Sequence, residues 1–244
     1  MDYRSSDFQA LVESVVKPQA IAEYPNEAVW FLTSSGLRKV ANVSKTPEKT
    51  FEVSAVDTLS ASKEGLLAVL HSHTDWYECP SLDDMVSQSS SGVPWGIVAT
   101  DGKSCTDVQW FGEQVEHNLM DRHFVHGVTD CYGLIKDWYL KEMSIKLREF
   151  PREWEWWILG GDLYSSGFSK AGFIQIDESE VKEGDVWLCQ IRSDVPNHGG
   201  ILLKDSLCLH HPSAHKPVDK SRLPRVEPIN RYRKFITHWL RYNG

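Results

Sequence analysis

The feature that most restricts the fold is a short, continuous apolar run over Gly65–Leu70. Such a run is typical of a strand buried on both faces of a sheet, and it is far shorter than the roughly 20 apolar residues of a membrane-spanning helix. A second apolar strand is predicted over Trp95–Ala99, and a short helix over Ser81–Gln88 lies between the two. We therefore predict an α/β unit in the first part of the chain and no membrane span.

The other elements predicted for this part accompany the central strand. Apolar residues spaced as on one helix face predict a first helix from Phe8 to Val15, which Pro18 ends. Apolar or alternating stretches predict three further strands: Ala28–Thr33, Lys39–Val43 and Phe51–Val56. Thr106–Gly112 fits either a strand or the connector that leaves the unit, so we assign residues 1–108 to the first domain.

A second domain of different layout is predicted over residues 109–244. Asp130 is a good N-cap for a helix over Cys131–Phe150, which Pro151 ends. Three closely spaced segments then predict an antiparallel meander: Asp185–Ile191, His198–Leu203 and Leu207–His210. Arg231–Tyr242 satisfies both a helical and an alternating pattern and stays undecided. One helix followed by a meander indicates an α+β domain.

Charge and cysteine content exclude several classes of protein. The net charge of −8 argues against general nucleic-acid binding. The segment Ser213–Gly244 nevertheless carries eight Lys/Arg against two Asp/Glu, which fits a solvated surface or a docking site for an acidic partner. The five cysteines are irregularly spaced and form no CxxC pair, so we expect neither a disulfide framework nor a thiolate zinc site. The first residues lack a secretory pattern, so we expect the chain to stay where it is made.

Two histidines and a carboxylate accompany the strand predicted over Gly65–Leu70. His71 and His73 stand two apart at its end, so their side chains share one face, and Asp84 lies in the first turn of the next helix. Two imidazoles and one carboxylate can form an open catalytic zinc site. In the alternative interpretation the histidines are surface residues, and Ser81 and Asp84 only cap the helix.

Water held at such a zinc ion needs a general base. Glu27, at the start of an early strand, is the candidate, and Glu23 is a weaker one. The pattern His71-x-His73, seven residues, Ser81-x-x-Asp84 resembles the signature of the JAMM metallopeptidases, and Pro25-Asn26-Glu27 is similar to that family's upstream glutamate.

This resemblance covers about residues 1–108 and implies a mixed sheet with helices. It implies that His71, His73 and Asp84 hold Zn²⁺, that Glu27 is the base, and that Ser81 stabilises the oxyanion.

A second set of residues points to cysteine chemistry. A thiolate at Cys131 would be stabilised by the start of the predicted helix, and a cysteine nucleophile needs an imidazole and a third, orienting group. His198 and His210 share a face of the meander if their loop has an odd length, such as Lys204-Asp205-Ser206. In that register His210 pairs with Gly200 and lies diagonal to His198. The alternative is that Cys131 is a small buried residue and the histidines are incidental.

Four short motifs resemble the NlpC-type papain-like cysteine peptidases: Phe124-Val-His-Gly127, Asp130-Cys131-Tyr-Gly-Leu-Ile135, Glu183-Gly-Asp-Val186 and Asn197-His198-Gly-Gly-Ile201. The resemblance implies a helix that carries Cys131 as nucleophile, packed on a sheet that carries His198 as base and His210 as orienter. His211 and Asp194 are the fallback orienters. Tyr132, Gly199 and the long stretch with the WEWW segment depart from the family pattern and put the substrate cleft in question.

The order of the two domains resembles that of the tail tip assembly proteins of lambda-like siphophages. This implies a virus-encoded protein made in the host cytoplasm and acting at the virion tail tip, with other tail tip proteins as partners. The second domain would hydrolyse stem peptides of peptidoglycan, and the first would be a zinc peptidase or isopeptidase that processes a tail protein. The rival hypothesis is a non-catalytic structural or chaperone component with vestigial peptidase sites.

Overall fold

The computed structural model describes residues 2–74, 77–112 and 114–244, and the chain divides into two compact units, Met1–Val115 and Glu116–Gly244. The division follows the strand Gln109–Phe111, which pairs with Trp95–Ala99 and so belongs to the first sheet. Over the described ranges, no helix combines the length and the apolar character needed to cross a bilayer.

The first unit is a mixed sheet accompanied by helices. Its helices are α1 (Ser6–Leu11), α2 (Lys17–Glu23), α3 (Ala55–Lys63) and α4 (Leu82–Ser91). Its strands are β1 (Val29–Thr33), β2 (Gly36–Val40), β3 (Leu66–His73), β4 (Trp95–Ala99) and β5 (Gln109–Phe111). The strand order is β2-β1-β3-β4-β5, and only β3 and β4 run parallel among the paired strands of this sheet. The predicted mixed sheet with helices is confirmed, and β3 lies at the centre of the sheet.

The first helix is longer than predicted. A π-helical segment, Val12–Val16, joins α1 to α2, so Pro18 stands in the first turn of α2 instead of ending the helix. A proline is tolerated there because the first turn does not use its missing N–H. The π turn also moves the buried face, so that Phe8, Val12 and Val16 pack against the sheet in place of Leu11 and Val15.

Two predicted strands of this unit differ from the structure. Phe51–Val56 is not a strand: α3 begins at Ala55, and the Ser54 side chain caps it by accepting from the Asp57 amide. A local capping interaction here overrides a short apolar alternation. The strand predicted over Lys39–Val43 ends at Val40, where its pairing with Val29 in β1 ends.

The second unit packs one helix on an antiparallel sheet. Helix α5 (Cys131–Met143) is followed by the short helix α6 (Leu163–Gly167). The strands are β6 (Phe124–Val125), β7 (Phe173–Ile176), β8 (Val186–Cys189), β9 (His198–Leu202), β10 (Leu207–His210), β11 (Val218–Asp219), β12 (Arg225–Pro228) and β13 (Ile236–Tyr242). The main sheet has the order β12-β10-β9-β8-β13-β7, and β11 pairs with β6. The predicted meander is confirmed in β8, β9 and β10.

The structure also resolves the undecided end of the chain. The last segment forms β13, which inserts between β8 and β7 and pairs with both. Helix α5 ends at Met143, well before the predicted Phe150, because Ser144 adopts a left-handed conformation. The Ser144 and Ile145 amides then bond back to Leu140 and Tyr139, a motif that terminates helices.

Glycine at position 200 allows the close approach of β9 and β10. A Cβ there would lie 2.5 Å from the Leu209 carbonyl oxygen, 2.7 Å from a Trp187 ring atom and 2.8 Å from the His210 Cβ. Position 199 is similarly crowded, since a Cβ would lie 2.8 Å from the Trp187 carbonyl oxygen. The departure at Gly199 from the family pattern therefore has a steric reason in this chain.

We expect Gly200→Ala to lower the free energy of unfolding by about 1–3 kcal/mol, because the new methyl overpacks a filled site. Chemical denaturation of the full chain measures this change. Gly167→Ala is the matched control, since its methyl would meet Phe150 at an ordinary 3.7 Å. A Gly→Ala change at a backbone conformation that alanine can adopt stabilises by about 0.4–1 kcal/mol, so the control should not lower the free energy of unfolding. Equal effects of the two substitutions would contradict the steric argument.

Candidate active sites

Strand β3 and helix α4 bring the predicted metal ligands of the first unit together. His71 and His73 lie at the carboxyl end of β3, and their Nε2 atoms stand 3.0 Å apart. Asp84 follows in the first turn of α4, with Oδ1 3.4 Å from His71 Nε2 and Oδ2 3.4 Å from His73 Nε2. Zinc with bonds of about 2.0–2.2 Å in tetrahedral geometry separates its ligand atoms by about 3.3–3.5 Å. The three residues therefore fit a divalent metal ion of this size.

The surroundings hold both imidazoles in place. His73 Nδ1 donates to the Tyr77 carbonyl oxygen at 2.8 Å, which leaves the Nε2 lone pair for a metal. The His71 ring packs against Phe51 and Trp95, with centroids 4.7 and 5.8 Å away. Burial alone would raise the pKa of Asp84, but the two imidazoles outweigh it and hold that pKa well below its usual range.

Glu27, the candidate base, and Ser81, the predicted oxyanion stabiliser, have different surroundings. Glu27 is buried, and its Oε1 lies 4.0 Å from His73 Nε2. Burial raises the pKa of Glu27 to about 7, where His73 opposes the rise and Asp84 adds to it. The Ser81 hydroxyl instead donates to Asp84 Oδ2 at 2.7 Å and accepts from the Asp84 amide, so it caps α4 and orients the carboxylate. Glu23 pairs with Lys39.

This group faces an open cleft of about 430 Å³. The cleft is lined by Glu27, His73, Ser81 and Asp84 together with residues of the segment 48–52. The cleft therefore gives solvent a path to the His73 imidazole and to the Asp84 carboxylate.

In the second unit, Asp130 fixes the start of the helix that carries Cys131. Its Oδ1 accepts from the Gly133 amide at 2.9 Å, and its Oδ2 accepts from the Gly127 amide at 2.9 Å and from Arg152 Nη2 at 2.6 Å. Cys131 is the first residue of α5. Sequence reasoning found the cap but missed Arg152, because no local pattern links it to a residue so distant in the chain.

The thiol of Cys131 lies under an aromatic cover. Its Sγ is 3.0 Å from Tyr164 Oη, and the Trp156 ring packs edge-on against Tyr164 at 5.4 Å. Loss of hydration raises the pKa of the thiol to about 11, and the nearby Asp130 carboxylate adds to the rise. Hydrogen bonds from Tyr164 and from the Gly199 amide oppose it. The resting sulfur is therefore a protonated thiol at neutral pH.

The two predicted histidines meet as expected. His210 pairs with Gly200 in the β9–β10 ladder. The loop between strands β9 and β10 contains the predicted turn Lys204–Ser206. His198 Nε2 lies 3.0 Å from His210 Nδ1, so the predicted register is confirmed. His198 Nδ1 has no hydrogen-bond partner within the described part of the chain. Burial lowers the pKa of His198 well below its usual range, so its imidazole is neutral.

A residue that sequence reasoning missed stands behind this pair. His210 Nε2 lies 2.8 Å from Glu227 Oε1, and Glu227 belongs to β12, which adds to the edge of the sheet. The fallback orienters lie elsewhere: His211 Nε2 contacts the Arg222 carbonyl oxygen at 3.2 Å, and Asp194 is an exposed loop residue. Nothing local marks Glu227, because only the pairing of β12 with β10 brings it to the histidine.

Sequence comparison matches the chain to one protein family and to two phage proteins. Residues 111–236, about half of the chain, match the model of the NlpC/P60 family. Tail tip assembly protein K of Escherichia phage N15 is 30% identical over 207 residues, which cover 82% of this chain and 84% of that protein. Tail tip assembly protein K of Escherichia phage lambda is 37% identical over 160 residues, which cover 65% and 76%. The chain belongs to the NlpC/P60 family and to the family of phage tail tip assembly K proteins.

A solved NlpC/P60 domain, that of the peptidoglycan hydrolase SagA, has 17% identity and a TM-score of 0.34, and the match covers 50% of this chain and 89% of that one. These values are too low to carry any argument. The predicted membership of the second unit in an NlpC-type family is confirmed by the family match, whereas the likeness of the first unit to JAMM enzymes stays a prediction.

The departure noted in the WEWW segment lies at the NlpC/P60 site itself. Trp154, Trp156 and Trp157 line one small pocket together with Cys131 and His198. Its cavity of about 30 Å³ has room for only about two waters, at roughly 10–15 Å³ each. A peptide substrate therefore needs this aromatic cover to move before it can reach the sulfur.

The pKa of Cys131 leads to a test of the resting site. We expect its alkylation by iodoacetamide to accelerate about tenfold per pH unit between pH 8 and 10, because only the thiolate reacts. Peptide mass spectrometry separates Cys131 from the other cysteines. Tyr164→Phe removes a donor to the thiolate and should shift the profile upward by about one pH unit or more. Fast labelling that is independent of pH between 5 and 8 would instead indicate a thiolate–imidazolium pair.

Proposed function

We propose that the second unit is a cysteine peptidase that hydrolyses an amide bond in the stem peptide of peptidoglycan. The observation that carries this proposal is that half-buried Cys131 and buried His198 line one pocket within the NlpC/P60 match, with His210 hydrogen-bonded to His198. An NlpC/P60 domain is of the cysteine hydrolase type, and a nucleophile, a base and an orienting group are the parts that acyl transfer requires.

The resting protonation states define the first step. His198 Nδ1 accepts the proton of the Cys131 thiol as the sulfur attacks the carbonyl carbon of the substrate amide. The imidazolium then returns that proton to the leaving amine, and a thioester remains on Cys131. Water, deprotonated by His198, attacks the thioester and releases the carboxylic acid and the thiol. His210 orients the imidazole throughout.

The N-terminus of helix α5 provides hydrogen-bond donors for the negative charge that forms on the substrate oxygen. The first amides of a helix have no intrahelical acceptor, and Asp130 already accepts from the amide of Gly133. The amides of Cys131 and Tyr132 are therefore the candidate donors to the oxyanion that forms beside the sulfur. Removal of one such donor typically costs about 10²–10³ in rate.

For the first unit we propose zinc peptidase activity on a tail protein, in keeping with its resemblance to JAMM enzymes. His71, His73 and Asp84 would hold the ion, and Zn²⁺ when bound supplies Lewis acidity that activates water near neutral pH. Glu27 would be the general base, Ser81 holds Asp84 in place, and the open cleft would admit an extended segment of the substrate.

The relatives named tail tip assembly protein K suggest where these activities act. We propose that the protein functions in the host cytoplasm during assembly of the tail, with other tail tip proteins as partners. A position at the virion tail tip would bring the cysteine unit to peptidoglycan.

The enclosure of Cys131 by Tyr164 and Trp156 favours one second candidate, a structural component of the tail tip whose cysteine site is silent. Incubation of the purified full chain with bacterial sacculi separates the two. We expect release of stem-peptide fragments, identified by mass spectrometry, and a loss of about 10³-fold or more in Cys131→Ala. Cys105→Ala is the matched control and should retain activity. Equal release by wild type and Cys131→Ala would refute the peptidase proposal.

The metal site has its own test. After removal of metal by a chelator, the full chain should bind one Zn²⁺, as measured by calorimetry. We expect His73→Ala and Asp84→Asn to weaken binding by roughly a hundredfold or more, since each removes a ligand. His215→Ala, an exposed histidine of the other unit, is the control. Unchanged zinc affinity in both ligand variants would rule out this site.

A further inference from the structure

On the side of its ring away from His198, His210 contacts the carboxylate of Glu227, a residue outside the predicted triad. Glu227 is 8% exposed, and its Oε1 lies 2.8 Å from His210 Nε2 and 3.0 Å from Tyr232 Oη. Its second oxygen pairs with Arg231. The Tyr232 ring stacks on Trp187 at 5.0 Å, and Trp187 also packs against both imidazoles. The carboxylate is thus held rigidly against His210.

The charge of Glu227 is maintained by its donors. Burial alone would raise its pKa, but hydrogen bonds from His210, Tyr232 and Arg231 outweigh it and lower the pKa. An ionised carboxylate can only accept hydrogen bonds. The proton between Glu227 and His210 must therefore sit on His210 Nε2.

The proton on His210 Nε2 determines the direction of the hydrogen bond between His210 and His198. With Nε2 protonated, neutral His210 has its lone pair on Nδ1, so His198 must donate its own Nε2 proton at the 3.0 Å contact. A neutral His198 then carries its lone pair on Nδ1, the atom with no hydrogen-bond partner in the described residues. Nδ1 is the atom that the proposed mechanism uses as the base.

We propose that Glu227 is a positioning residue: through His210 it holds His198 in the tautomer whose Nδ1 can accept the proton of Cys131. The proposal rests on the proposed peptidase function of the second unit. Without the carboxylate, His210 can carry its proton on Nδ1, which turns it toward His198 as a donor. His198 must then accept on Nε2 and protonate Nδ1, and a protonated Nδ1 cannot act as a base.

Glu227 also matters once an imidazole is protonated, because the other groups near His210 and His198 disfavour a positive charge there. Arg225 is the ladder partner of His210 and disfavours a positive charge on it. His210 and His211 likewise disfavour a positive charge on His198. Among the groups that act on His210, Glu227 is the anion that opposes Arg225, so it stabilises the positive charge that forms when His198 takes the thiol proton.

The tautomers can be measured without any substrate. Histidine labelled with ¹⁵N is incorporated into the full chain, and the side-chain nitrogen shifts of His198 and His210 are assigned by single substitutions. We expect both rings of the wild-type protein to carry the proton on Nε2. In Glu227→Gln a substantial Nδ1-protonated population should appear, whereas Glu227→Asp, which keeps the charge, should retain more of the wild-type state. Glu183→Gln, a half-exposed glutamate of the same unit, is the control.

Kinetics with stem-peptide substrate provides the second readout. We expect kcat of Glu227→Gln to fall by roughly 10²–10⁴-fold, as for other general bases held in the wrong tautomer, with KM nearly unchanged. Glu227→Asp should recover part of this loss, and the pH profile of Glu227→Gln should shift relative to that of the wild type.

Unchanged tautomers in Glu227→Gln would overturn the inference, whether or not the wild-type enzyme cleaves peptidoglycan. A tautomer shift together with an inactive wild type would support the role of Glu227 and count against the proposed substrate alone. If Glu227→Gln fails to fold, the wild-type protein still decides: a neutral His198 that carries its proton on Nδ1 there would overturn the inference.

Discussion

The buried carboxylate of Asp130 is the interaction on which the cysteine site depends. It caps helix α5 through the Gly133 amide, holds the preceding turn through the Gly127 amide, and pairs with Arg152 at the start of the tryptophan-rich segment. Removal of one partner of such a buried pair typically costs about 3–5 kcal/mol, because the other charge is left uncompensated. One side chain therefore fixes both the position of Cys131 and the segment that covers it.

In the functions proposed here, the two units would activate a nucleophile by different physical means. In the first unit, two imidazoles and a carboxylate converge at spacings that suit a metal ion, next to a cleft that solvent can enter. In the second, Cys131 and His198 are electrically neutral at rest, and the ionised Glu227 carboxylate orients the two imidazoles through hydrogen bonds.

Local patterns in the sequence were sufficient for most of the fold. Apolar runs located β3 and β4, and the loop of three residues fixed the register that brings His210 beside His198. The failures were also local. Pro18 does not end its helix because a π turn precedes it, Phe51–Val56 yields to the cap of α3, and α5 ends at Ser144 because that residue adopts a left-handed conformation. In each case a backbone or capping preference competed with hydrophobic periodicity and prevailed.

The sequence by itself determined the candidate residues, because their spacing along strands and helices is a local property: His71 and His73 on one strand face, Asp84 one helical turn after Ser81, and Cys131 after a capping aspartate. Only the tertiary structure decided what surrounds them. Arg152, Tyr164 and Glu227 reach the cysteine site from distant segments, through an ion pair, an aromatic contact and the pairing of an edge strand. Contacts of this kind depend on which surfaces the whole chain buries together, and no short motif encodes them.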